Sequence, residues 1–182
     1  MRFFIVIVLM VLQLSANSFM THAKPGVTLG LSAKMVEKAV NEQLPQTIKY
    51  MLLNIKLIKA KLSFPAKSER IHTKFDAIVT MQTGLSEHRF EAEVDMSSGI
   101  NYIASKDSVY LKEPNVENIV IKDIDPMTSN YANGLINSAL VSYYNKYPAH
   151  QLSAEQKAEL MFAIEKLIVK NGRLLVTLGE KH

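Results

Sequence analysis

The sequence predicts an α+β domain in which a short N-terminal helix is followed by long antiparallel strands and then by C-terminal helices. Three observations carry this. Apolar residues recur at helical spacing from Val36 to Leu44, the period changes to two from Leu53 to beyond Tyr102, and Asp125-Pro126 opens a long helical stretch without charge.

The chain has 182 residues. It begins Met1-Arg2, runs apolar from Phe3 to Leu12 and turns weakly polar over Gln13 to Ser18, the pattern of a secretory signal peptide. That run falls short of the roughly 20 apolar residues that a membrane span needs. Small residues permit cleavage after Ser18 or after Ala23, and the second is preferred. The expected organisation is a signal peptide at 1–23 and a single domain at 24–182, with an uncleaved anchor as the alternative. About 160 residues bury roughly two-thirds of the unfolded chain's surface, so no covalent staple is required.

Ser32 is placed to cap a helix over 33–44, with Val36, Ala39, Val40 and Leu44 on one face and Pro45 closing it. Next, Leu53, Ile55 and Leu57 share one parity while Ile58, Ala60, Leu62 and Phe64 take the other, a flip that predicts a β-bulge. Ile71, Thr73, Phe75, Ala77, Val79 and Met81 alternate with polar residues, Arg70 among them. After a turn at 84–87, Phe90, Ala92, Val94, Met96, Ser98, Ile100, Tyr102 and Ala104 alternate with Arg89, Glu91, Glu93, Asp95, Ser97 and Asn101. That makes a strand of about 50 Å. Beyond a turn at Lys106-Asp107-Ser108 come Val109 to Glu113 and Val116 to Ile124, with Pro114 breaking or bending the path. Short turns between successive strands make an antiparallel meander the economical topology.

The helix that starts at Asp125-Pro126 is expected to reach Lys146, ahead of Pro148. It carries no charge from Met127 to Asn145, which predicts cover on more than one side, and Gly134 at its middle suggests close approach by another backbone. Ser153-Ala154-Glu155-Gln156 opens a further helix to about Ala163. Asn171-Gly172, between Lys166–Lys170 and Arg173–Leu178, predicts a closing β-hairpin.

The absence of cysteine removes disulfides, thiolate metal sites and a cysteine nucleophile. Lys and Arg number 21 against 17 for Asp and Glu, a diffuse excess without the clustering of a nucleic-acid footprint, so no nucleic acid is expected as partner. His72, His88, His150 and His182 show no metal-ligand spacing and read as surface histidines. Glu91, Glu93 and Asp95 read as the wet face of a sheet. Neither a nucleophile elbow nor a phosphate loop is present, so no enzyme activity, cofactor or metal is expected. What remains is the apolar face of the sheet, where aromatic Phe75, Phe90 and Tyr102 mix with small or flexible Ala77, Met81, Ala92 and Met96. Such a face makes room either for the helix that follows or for an acyl chain.

The helix opener Leu31-Ser32, the strand Tyr110-Leu111-Lys112-Glu113, the helix end Tyr143-Tyr144-Asn145-Lys146-Tyr147-Pro148-Ala149 and the closing Ile168 to Leu174 together resemble the YceB-like family of bacterial periplasmic lipoproteins. The resemblance implies a long, strongly curved antiparallel β-meander wrapped around a long C-terminal helix, similar to the tubular lipid-binding superfamily. It implies a phospholipid or fatty acid held between the helix at 127–146 and the sheet. The lining would come from Phe75, Ala77, Met81, Phe90, Ala92, Val94, Met96 and Tyr102 on the strands and from Ile136, Leu140 and Tyr143 on the helix. The lipidated cysteine of the family is missing, so the expectation is a soluble, unanchored periplasmic protein with at most peripheral contact with the membrane or envelope proteins. The alternatives are an envelope protein-protein interaction module with a filled core and, third, an envelope enzyme with a dispersed site.

Overall fold

The computed structural model describes residues 26–83, 86–152, 154 and 163–180. The signal segment at 1–23, the turn at 84–85, the helix expected from Ser153 and His182 lie outside them.

Among the described residues the chain runs β1 (Thr28–Leu31), α1 (Ala33–Asn41), β2 (Gln46–Tyr50), β3 (Leu53–Ser63), β4 (Ile71–Thr83), β5 (Ser86–Ile103), a 3-10 turn, β6 (Ser108–Ile121), α2 (Pro126–Lys146), β7 (His150–Gln151), β8 (Ala163–Lys170) and β9 (Arg173–Gly179). Strands β2 to β7 form a six-stranded meander in sequence order, and β1-β9-β8 form a second sheet. Every pairing is antiparallel. The larger sheet curls as a half-barrel, with α2 in contact with β6 near one end and with β2 and β3 at the other. Helix α1 lies on β3, and β8 packs against β5. One continuous apolar core joins both sheets and both helices.

Ser32 caps α1 as expected, its hydroxyl accepting from the Met35 amide at 3.4 Å, but the helix stops at Asn41, three residues short of the predicted end. Strand β2 was not legible in the sequence because Ile48 is its one buried residue, too little for an alternation. The parity flip is a bulge, with the β3–β4 register shifting between Leu57 and Lys59. Ile58, read as inward, is instead 43% exposed, because it is the extra residue that the bulge pushes out.

Strand β5 holds 18 residues, longer than the roughly fifteen that the alternation predicts, because it takes in Ser86 and Glu87 of the expected turn. Near its centre the alternation fails, since Ser97 and Ser98 are both buried. Its register against β6 shifts there, and Pro114 occupies the matching irregularity beside Glu113, whose φ is 49°. Proline therefore neither breaks nor ends β6; it sits where the ladder is already interrupted. Arg70 holds this place, donating to Ser97 Oγ at 3.1 Å, to the Ser97 carbonyl at 2.9 Å and to the Glu113 carbonyl at 2.8 Å.

Asp125 caps α2 as predicted, its carboxylate accepting from the Met127 and Thr128 amides, each at 3.1 Å. Hydrogen bonding with Thr128, led by the side chain, holds that carboxyl below its ordinary range. Two other expectations fail. The helix buries one stripe, Ala132, Ile136, Ala139, Leu140 and Tyr144, while Met127, Tyr131 and Gly134 face outward. Among the described residues a Cβ at Gly134 would meet nothing within 4 Å, so no described backbone approaches it. From Met127 to Asn145 the outer face carries no charge, and beside Met127 and Tyr131 it is mostly Asn and Ser, which solvent accepts. Nor is α2 C-terminal, because three strands follow it. The closing hairpin turns at Asn171-Gly172, both at positive φ as such a turn requires.

Candidate functional site

Strand β2 pairs with β3 only as far as Leu57, which leaves the rest of the β3 edge without a strand neighbour on that side among the described residues. A bare edge is a liability, and α1 covers it. The Asn41 side-chain amide donates to the Ala60 carbonyl at 2.7 Å and its oxygen accepts from the Ala60 amide at 2.8 Å, so one side chain makes both bonds of a strand partner. One turn earlier, the Glu37 carboxylate accepts from the Leu62 amide at 2.8 Å. Helix α1 is thus fastened to the sheet through its polar side chains, and its apolar face turns over the sheet's interior.

Beneath α1 lies a cavity of about 120 Å³. The helix and its exit contribute Val36, Val40, Gln43 and Leu44, and β3 contributes Leu62. Ile71, Thr73 and Phe75 of β4 face it, with Met96, Ser98 and Ile100 of β5. Val109 and Leu111 of β6 close one side, and Tyr144 with Ala149 and His150 closes the end where α2 stops. At the rim, Gln46 Nε2 donates to Tyr143 Oη at 2.9 Å and ties β2 to α2. Burial pulls the His150 imidazole down to about 4 and pushes the Tyr144 phenol upward, so both are neutral at neutral pH.

A second, wider hollow of about 750 Å³ opens at the other end of α2. Met81, Phe90, Ile124, Met127 and Tyr131 line it together with charged groups including Arg89, Asp123 and Asp125. Met127 is 85% exposed there, and Met51, at the β2–β3 turn beside the Leu53–Met81 pair, is 83% exposed.

The residues expected to line a ligand site are divided by this geometry. Phe75 and Met96 face the cavity under α1, whereas Met81 and Phe90 face the wide hollow. Ala77, Ala92, Val94, Ile136 and Leu140 face neither and are buried in the core. Tyr102 and Tyr143 are half-buried and line neither hollow. The Tyr102 hydroxyl meets Asp107 Oδ1 at 3.3 Å, and burial, with Asp107, pushes that phenol up to about 12. Sequence reasoning missed the α1 wall, Leu62, Ile71, Val109, Leu111 and His150. Most of these were already legible as apolar positions; what was missing was the length mismatch of β2 and β3, which calls α1 onto the sheet.

His150, read as a surface histidine, is half-buried in the cavity wall. His72 lies on the outer face with its Nδ1 at 3.6 Å from Glu117, and exposed His88 lines the wide hollow. The carboxylates on the outer face are balanced across strands: Lys74 sits 3.4 Å from Glu93 and 3.6 Å from Asp95, and Lys122 sits 3.4 Å from Glu91. Among the described residues no three metal-ligating side chains gather, and no helix is long and apolar enough to cross a membrane.

The model of one family, described as proteins of unknown function (DUF1439), matches residues 31–173, and the chain belongs to that family. A search of the curated proteins found no match.

Proposed function

With membership of that family as the premise, we propose that the protein is an exported, non-enzymatic carrier or sensor that binds a hydrophobic ligand, with the cavity beneath α1 as its site. The observation that carries this is the cavity itself: a largely apolar space between the core and the surface, lined by two helices and four long strands and edged by a few neutral polar groups. Export rests on the N-terminal pattern of Arg2 and the apolar run after it. The likeness to YceB-like lipoproteins and to tubular lipid-binding proteins supports the same reading, with lipid or part of a lipid as the ligand.

A second reading has its own observation. Met127 and Tyr131 are more than half exposed on the wall of the wide hollow, as are Met51 and Leu52 at the β2–β3 turn, and such exposed apolar groups suit contact with an envelope protein. Mass spectrometry of the protein purified from its own compartment separates the two. The ligand reading expects an apolar molecule to co-purify with the wild type and to be lost from Val40→Phe, whose ring fills the cavity. No co-purified molecule, together with no uptake of fluorobenzene by the stripped protein, would overturn it and leave those exposed groups as the better guide.

A further inference from the structure

The wall of the cavity under α1 restricts what can enter. Among the described residues, no Asp, Glu, Lys or Arg faces it. Its polar groups are Gln43, Gln46, Thr73, Ser98, Tyr144 and His150; burial keeps the phenol neutral and the imidazole is uncharged at neutral pH because burial holds its titration near 4. An ion placed against such a wall loses its water without gaining a counter-ion, an exchange that stays unfavourable even after the wall relaxes. A neutral group with a hydroxyl or carbonyl meets no such penalty, since amide, hydroxyl and imidazole groups on the wall can donate or accept. The hollow at the opposite end of α2 is the contrast, because it offers Arg89 as well as Asp123 and Asp125 to a charged visitor.

Size narrows the class further. About 120 Å³ is close to the roughly 150 Å³ of an apolar protein cavity that accepts benzene, and well below the roughly 300 Å³ at which sites for drug-sized molecules begin. Resting on the ligand reading above, we infer that the group held beneath α1 is electrically neutral and small: one aromatic ring or a short aliphatic chain bearing at most a hydroxyl, ester or amide. The carboxylate of a fatty acid and the phosphate of a phospholipid have no place inside. If such a molecule binds, only the end of its hydrocarbon enters and its headgroup stays outside.

Three probes of one shape test this by fluorine NMR titration of the full protein at pH 7: 4-fluorobenzyl alcohol, 4-fluorobenzoate and 4-fluorobenzylammonium. The alcohol is expected to bind at least tenfold more tightly than either ion, and Val40→Phe is expected to abolish its binding. Equal affinity for all three, with the same loss in Val40→Phe, would overturn the neutral class and leave the ligand site standing. Binding of none, with the wild type folded by circular dichroism, would overturn this inference together with the ligand reading. Binding of the alcohol that persists in Val40→Phe would place the neutral group elsewhere and overturn the assignment to this cavity.

Discussion

Two stretches of the same interior differ in what they leave empty. Along the middle of α2, Ile136, Ala139 and Leu140 are fully buried with Val79, Ala92 and Val94 of β4 and β5 in one core, and neither hollow reaches Ala77, Ala92 or Ala139. Beneath α1, side chains of the same kinds enclose a cavity. Composition therefore does not separate them; the cover does. In the middle a single helix, α2, supplies the cover, seated chiefly against β6 with β2 and β3 at the other side, and side chains fill the space between it and β4 and β5. The end is roofed by two covers, α1 held to the β3 edge by Asn41 and Glu37, and the last buried turn of α2 at Tyr144. Where two separately anchored helices share a sheet, neither can close fully on it.

The largest effect expected from this difference comes from adding volume at each place. Ala92→Trp overfills the middle and should cost about 3 kcal/mol or more, read as a lowered denaturant midpoint, because a dense core has no room for it. Val40→Phe adds volume at the roof of the cavity and should change stability by less than about 1 kcal/mol in either direction. Matching losses in the two variants would mean that the cavity closes in solution and that the two regions are alike.

The residues legible in advance are those whose signal is local. The N-cap at Asp125, the bulge at the parity flip and the Asn171-Gly172 turn each follow from a few neighbouring side chains and stand where expected, and β5 is long as expected though it starts earlier. The pairing of cover and sheet is not local. Phe75 and Met96 were anticipated as lining because they alternate inward, yet so does Val94, and only the positions of α1 and α2 decide which of them faces empty space. Reading the uncharged run of α2 as burial failed for a related reason: Asn and Ser satisfy solvent as well as a neighbour, and charge is sufficient but not necessary for an outer face. His150 was misread as a surface residue because β7, only two residues long, is set by its pairing with Ser108 and Val109 across the sheet.

A smaller effect tests the fastening of the roof. Asn41→Ala removes both bonds to Ala60 and leaves a part-buried amide and carbonyl to find water, so a loss of about 1–2 kcal/mol is expected. Asn41 is outside the cavity wall, and probe affinity should change little while exchange of 4-fluorobenzyl alcohol becomes faster in fluorine line shapes. The middle of α2 supplies the control: Ala139→Gly weakens that helix by about 1 kcal/mol and should leave exchange unchanged. Faster exchange in both variants would mean that the site opens by general loosening rather than beneath α1.

The smallest effect reports whether the cavity is dry. An unfolded imidazole titrates near 6.5, and in the folded protein burial lowers His150 to about 4, so between those values the unfolded chain takes up more protons than the folded one. Stability from this residue is therefore complete above about pH 6.5 and is lost as the pH falls toward 4. Because the ring is only half-buried, solvent screens part of the shift, and a loss of about 1 kcal/mol between pH 7 and pH 5 is a fair expectation. Most carboxylates stay ionised in that window, so the comparison of wild type with His150→Asn isolates the imidazole. The variant should lose about 1 kcal/mol less than the wild type over the same interval in urea titrations. A closed apolar cavity keeps the ring neutral, whereas a water-filled one lets it protonate where it stands. Parallel losses in the two proteins would therefore mark the space beneath α1 as wet, and the contrast with the filled middle of α2 would then be one of hydration as well as packing.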